Sequence, residues 1–121
     1  LGPSCCDPFG RRALRCSMGA VLSVPLFRFE DQADLRLLAG EGWTAVAASL
    51  EEGAEEPGSL GRVGKLALVL GNEREGIPAE VRSVCASAVA IPQGRTEAEG
   101  VDSLNVAAAA AILLWEGRRR G

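Results

Sequence analysis

The sequence predicts an α/β domain built on a mainly parallel sheet with helices on both faces. Three observations carry this reading. Short apolar runs alternate with segments whose apolar residues recur at helical spacing. The run Leu66-Ala67-Leu68-Val69-Leu70 has no polar residue at all, as a strand buried on both faces requires, and it ends at Gly71-Asn72-Glu73-Arg74-Glu75-Gly76, followed by Ile77 and a helix-starting proline, Pro78. The 121 residues are 47% hydrophobic and 24% charged, which excludes a disordered or fibrous chain and leaves one domain able to bury an ordinary core.

Taken in order, Leu1 to Gly10 reads as a strand end and a loop, with Asp7-Pro8 as the turn. From Arg11, the positions Leu14, Met18, Val21 and Leu22 predict a helix of about three turns that must stop before Pro25. Leu26 to Phe29 reads as a short strand. Asp31 offers an N-cap for a second helix carrying Leu35 and Leu38, with Gly40 as its stop. Trp43 to Ala48 is the next strand. Glu51 to Gly64, rich in glutamate and glycine, reads as a solvated surface loop. Lys65 to Leu70 is the central strand, Pro78 to about Cys85 a helix, Ala88 to Ile91 a strand closed by Pro92, and Gln93 to Asp102 a polar loop. Ser103 to about Gly117 is the last helix. From Val106 to Trp115 it has no polar residue on any face, so it must be covered on more than one side.

The charge of −3 argues weakly against this segment alone as a strong nucleic-acid binder, since phosphate contacts need clustered lysine and arginine. Two arginine groups, Arg11, Arg12 and Arg15 near one end and Arg118, Arg119 and Arg120 at the other, are read first as solvated helix ends. Cys5, Cys6, Cys16 and Cys85 form no C-x-x-C pair, and the chain has no histidine, so neither a metal site nor a disulfide framework is expected. The thiols are expected to be reduced and the protein cytoplasmic. No apolar run is long enough for a membrane span and no signal peptide is visible; the chain opens with Leu1, and a missing upstream part is expected.

A polar loop at the carboxyl end of a parallel strand is where open α/β sheets bind ligands. Gly71 and Gly76 have the spacing of a P-loop, but Ile77-Pro78 stands where Lys-Ser would, so phosphate cradling is disfavoured. A tight strand-to-helix turn with solvated charges explains the same residues equally well. Ser103 or Asp102 can serve simply as an N-cap. The acidic residues Glu73, Glu75, Glu97, Glu99 and Asp102 define no catalytic pair by spacing.

Three stretches together carry a resemblance that none carries alone. Leu68 to Ile77, then Ile91-Pro92, then Ser103-Leu104-Asn105-Val106 with its following alanines resemble motifs two and three of the SpoU (TrmH-like) RNA 2′-O-ribose methyltransferases. Asp7-Pro8-Phe9 and Ala13 to Ala20 resemble the segment that precedes those motifs. The resemblance implies the SPOUT α/β fold with a C-terminal trefoil knot, and S-adenosylmethionine bound in that knot through main-chain groups at Gly71, Ile91 and Leu104, with Asn72 supporting. It implies transfer of a methyl group to a ribose 2′-hydroxyl of tRNA or rRNA, with Glu73, Asn105 and Ser103 arranging the catalytic site, Arg74 touching RNA, and no metal. It also implies a homodimer, for which Trp115, Leu114 and the helix around Met18 are interface candidates.

The family's first motif, an Asn followed by an Arg, has no counterpart from Leu1 onward. Residues 1–121 are therefore expected to be a SpoU-type methyltransferase domain lacking its N-terminal strand and helix, inactive alone. A non-catalytic knotted module for RNA binding or dimerisation is the competing expectation. A flavodoxin-like nucleotide-binding domain is disfavoured by the missing glycine fingerprint.

Overall fold

The computed structural model describes residues 1–93 and 104–119, and the chain divides into two units, Leu1–Asp34 and Leu35–Gly121. The first unit contains helix α1, Arg11–Cys16, and a 3-10 helix, Ala20–Ser23. The sequence predicts one continuous helix here, and the structure interrupts it. Met18 and Gly19 adopt positive φ angles of 51° and 80°, and Gly19 N–H donates back to Leu14 O at 3.0 Å. This is the left-handed C-terminal cap that glycine allows at little cost. Met18 is left 94% exposed at the break.

Leu26 to Phe29 is not a strand, although its backbone is paired. The Leu1 amino group donates to Phe27 O at 2.7 Å and Phe29 N–H donates to Leu1 O at 3.0 Å. Two such bonds on either side of Arg28 are the pattern of a single parallel bridge.

Helix α2, Gln32–Gly40, begins where Asp31 predicts, with Asp31 Oδ1 accepting from Ala33 N–H at 2.7 Å. It ends at Gly40, as predicted, and Gly42, with φ of 80°, takes the left-handed conformation two residues beyond. Strands β1, Thr44–Ala48, β2, Leu66–Val69, and β3, Ser87–Val89, form a parallel sheet in the order β2-β1-β3. The strand predicted to be central, β2, is thus an edge among the described strands, and β1 is in the middle. Three of the five residues of β1 are buried, while every residue of β2 is half-buried.

Alternation along the strands separates two cores. On one face Ala45, Ala47 and Ala88 pack with Cys85, and Ala67, Val69 and Ile77 join them. Helix α3, Ala79–Arg82, lies between Ile77 and Cys85 in the chain and starts after Pro78, which occupies the N-cap. On the other face Val46 and Val89 pack with Leu60 and with Leu113 of helix α4, Val106–Arg118. Helix α4 therefore packs on this second face, while the buried residues of the first face come from the strands and from Cys85, just beyond α3.

Leu60 belongs to a 3-10 helix, Pro57–Arg62, in the stretch predicted to be a surface loop. Pro57 starts this turn and places Leu60 in the core at 1% exposure. Gly61 then meets α4 so closely that a Cβ would collide with the Arg119 carbonyl oxygen. Earlier in the same stretch Glu55 joins the outer edge of β3: its N–H donates to Ala88 O at 2.8 Å and its carbonyl accepts from Ala90 N–H at 3.0 Å.

All four cysteines are free; Cys5, Cys6 and Cys16 are exposed and Cys85 is buried, where loss of solvation pushes its thiol pKa up. Reaction of the native protein with an aromatic disulfide reagent is expected to consume three thiols first and Cys85 last. Four equal rates would contradict the placement of Cys85 in the core. Among the described residues, no helix is long and apolar enough to cross a membrane.

Candidate functional site

The carboxyl ends of the three parallel strands open onto one cleft of about 340 Å³. Ala48, Ser49 and Leu50 form one wall as β1 ends, and Leu70 to Ile77 form another as β2 ends. Val89, Ala90 and Ile91 come from the end of β3, and Leu104, Val106, Ala109 and Leu113 from the approach to α4 and its first turns. The segments singled out in the sequence thus converge at the sheet edge where parallel α/β folds bind ligands.

The loop after β2 is closed by its own backbone. Asn72 O accepts from Gly76 N–H at 3.0 Å, and Asn72 Oδ1 accepts from Arg74 N–H at 2.8 Å and from Glu75 N–H at 2.7 Å. This side-chain turn is what asparagine does well in a short loop, and Gly76 completes it with φ of 69°. Gly71 is required for space. A Cβ there would collide with the Gly76 carbonyl carbon and lie 2.5 Å from both Gly76 O and Ile77 N. The close approach is therefore first to the loop's own return strand.

At the other side, Asn105 rather than Ser103 or Asp102 is the N-cap of α4. Its Oδ1 accepts from Ala107 N–H at 2.9 Å and from Ala108 N–H at 3.4 Å. The cap holds the first turn of α4 against the cleft. Asn105→Ala is expected to lower stability to urea by about 0.5–2 kcal/mol. An unchanged unfolding midpoint would show that the cap contributes nothing.

Of the site residues expected from sequence, Gly71, Asn72, Glu73, Arg74, Ile91 and Leu104 all line the cleft. Asn105 is flanked by two lining residues, Leu104 and Val106, but does not line it itself. Ser103 lies outside the described residues. Because the Oδ1 atoms of Asn72 and Asn105 are taken by backbone donors, each has its amide nitrogen to offer a ligand. Among the described residues, the main-chain groups of Gly71, Ile91 and Leu104 have no hydrogen-bond partner. Main-chain groups left open at a cleft are the natural contacts for a ligand.

The wall formed by Ala48, Ser49 and Leu50 was not singled out in the sequence. The signal was available, since β1 must end at the same sheet edge as β2. Just behind this wall, Arg82 clasps Glu51: Nε donates to Oε1 and Oε2 at 3.2 and 3.0 Å, and Nη2 donates to Oε1 at 2.5 Å. Those hydrogen bonds hold the Glu51 carboxyl below the usual carboxylate range.

The sequence pattern of the SpoU rRNA methylase family matches residues 1–115. The chain belongs to this family.

A relative from Mycobacterium bovis, an uncharacterized tRNA/rRNA methyltransferase, is 37% identical over 125 positions, covering all of this chain and 42% of the relative. The 23S rRNA (guanosine-2′-O-)-methyltransferase RlmB of Escherichia coli K12 is 34% identical over 110 positions, covering 89% of this chain and 43% of RlmB. Among solved structures, an AdoMet-bound rRNA methyltransferase from Sinorhizobium meliloti superposes with a TM-score of 0.84 at 32% identity, covering 98% of this chain and 44% of that one. The chain thus spans less than half the length of each of these three relatives.

Proposed function

We propose that the protein containing this chain is an S-adenosylmethionine-dependent methyltransferase that modifies a ribose 2′-hydroxyl of tRNA or rRNA. The observation that carries the reading is the coincidence of two independent lines. Motif position assigns the methyl donor's main-chain contacts to Gly71, Ile91 and Leu104, and these are cleft residues whose main-chain groups have no partner among the described residues. The apolar side chains of Leu50, Leu70 and Leu104, all exposed at the cleft, suit the uncharged parts of such a ligand. The AdoMet-bound Sinorhizobium relative and the 2′-O activity of RlmB support the same assignment.

S-adenosylmethionine supplies a methyl group already activated by its sulfonium, so the protein's tasks are alignment and removal of the hydroxyl proton. In this reading the Asn72 turn holds the loop that presents Glu73 to the cleft, and the Asn105 cap sets the approach of Leu104. Glu73, Asn105 and Ser103 arrange the reacting groups, and Arg74, exposed at the loop tip, meets RNA phosphate. No metal is required.

Residues 1–121 are read as one SpoU-type methyltransferase domain with a C-terminal knot. The knot reading draws on contacts of one earlier stretch with two later elements. β3 is flanked by β1 on one side and by Glu55 on the other, while the 3-10 helix Pro57–Arg62 packs on α4. A homodimer is supported by α4, where Ile112, Leu114 and Trp115 are exposed on a helix with no polar residue before Glu116. The four free thiols fit the cytoplasm.

The test is transfer of isotope-labelled methyl groups by the whole protein containing this chain to bulk tRNA and rRNA, followed by nucleoside mass spectrometry. Label in 2′-O-methylnucleosides is expected. Label confined to bases would overturn the ribose assignment, and no transfer together with retained RNA binding would favour the non-catalytic module.

A further inference from the structure

Two walls of the cleft, Ser49–Leu50 after β1 and Gly71–Ile77 after β2, come from separate strand ends, and something must set the distance between them. The first wall is a narrow turn. Ser49 N–H donates to Val89 O at 3.1 Å, and Glu51 N–H folds back to Ser49 O at 3.1 Å, leaving Leu50 at the apex and 58% exposed. An exposed leucine on a three-residue turn has little packing of its own to hold it in place.

The next side chain supplies the restraint. Glu51 receives the guanidinium of Arg82 through both carboxylate oxygens, and Arg82 Nη1 also donates to Cys85 O at 3.4 Å. Arg82 is the last residue of α3, the helix that continues directly from the Gly71–Ile77 loop. The pair therefore ties one cleft wall to the helix on which the other wall is mounted. A fork-shaped guanidinium on a carboxylate fixes direction as well as distance, which a single charge contact would not.

We propose that Glu51 and Arg82 are positioning residues of the donor cleft, whose ion pair holds Leu50 against the bound methyl donor. The inference rests on the reading of the cleft as the S-adenosylmethionine site. Neither side chain lines the cleft, so their action is on its width and not on the ligand directly.

The test is a set of variants read by S-adenosylmethionine titration calorimetry and steady-state methyl transfer with the whole protein containing this chain. Glu51→Gln and Arg82→Gln are each expected to weaken donor binding by about two- to fivefold, raising KM for the donor with kcat nearly unchanged. Arg82→Lys is expected to recover part of the loss. The exchanged pair, Glu51→Arg with Arg82→Glu, is expected to bind more tightly than either of those single replacements. Donor affinity unchanged in both Gln variants overturns the proposal. So does a fall in kcat and thermal stability with KM unmoved, the signature of a merely structural contact. If the unmodified protein binds no donor while folded, the reading of the cleft fails, and this inference with it. Binding by the unmodified protein with flat variants removes the inference alone.

Discussion

Replacing Gly71 by alanine is expected to abolish useful methyl-donor binding and to lower methyl transfer on the order of 10²-fold, the usual cost of misplacing a site by about 1 Å. The reason is backbone against backbone. The new Cβ would meet the Gly76 carbonyl group and lie 2.5 Å from Ile77 N, and none of those atoms can swing aside as a flexible side chain would. The loop from Asn72 to Gly76 must move as a body, and with it Glu73, Arg74 and the cleft wall. The stability cost is expected to be about 1–3 kcal/mol, in the range of other forced overpacking. Calorimetric titration and single-turnover transfer would measure the first effect and urea unfolding the second. A Gly71→Ala protein with normal donor affinity would contradict the close approach.

Leu113→Ala is expected to produce the largest loss of stability, about 2–5 kcal/mol, against a typical total of about 5–15 kcal/mol for a domain. Leu113 is 1% exposed and packs with Val46, Leu60 and Val89, so its removal leaves a cavity under the middle of the sheet. It also lines the cleft, so donor affinity should fall in the same variant. A loss below about 1 kcal/mol in urea unfolding would mean that the site collapses around the gap, and that α4 is not anchored there.

The parts legible in the sequence were those encoded locally. The apolar run of β2, the glycine-bracketed loop and the cap at Asp31 depend on neighbours a few residues away. The cap of α4 falls on Asn105 and not on Ser103 or Asp102, where the sequence places it, because all three are good acceptors and only the start of the helix chooses among them. Leu60 was hidden by its surroundings: glutamates and glycines mask a turn whose single apolar residue enters the core.

What could not be read locally was distance. The Glu51–Arg82 pair joins residues 31 positions apart, and no spacing rule connects them. The need for glycine at position 71 was legible, but its immediate cause was not, since the atoms that exclude a Cβ belong to Gly76 and Ile77 after the chain has turned back. The motif order Gly71, Ile91, Leu104 pointed to a shared site without saying that β1 supplies the facing wall. Likewise the break of α1 follows from Gly19 taking the left-handed conformation, a choice that helical spacing across Met18 does not reveal.

Calorimetric titration of the whole protein containing this chain with S-adenosylmethionine reads occupancy of the cleft without any RNA present. Saturable one-site binding that is lost in Gly71→Ala is expected. No heat of binding from a protein shown by circular dichroism to be folded would contradict it.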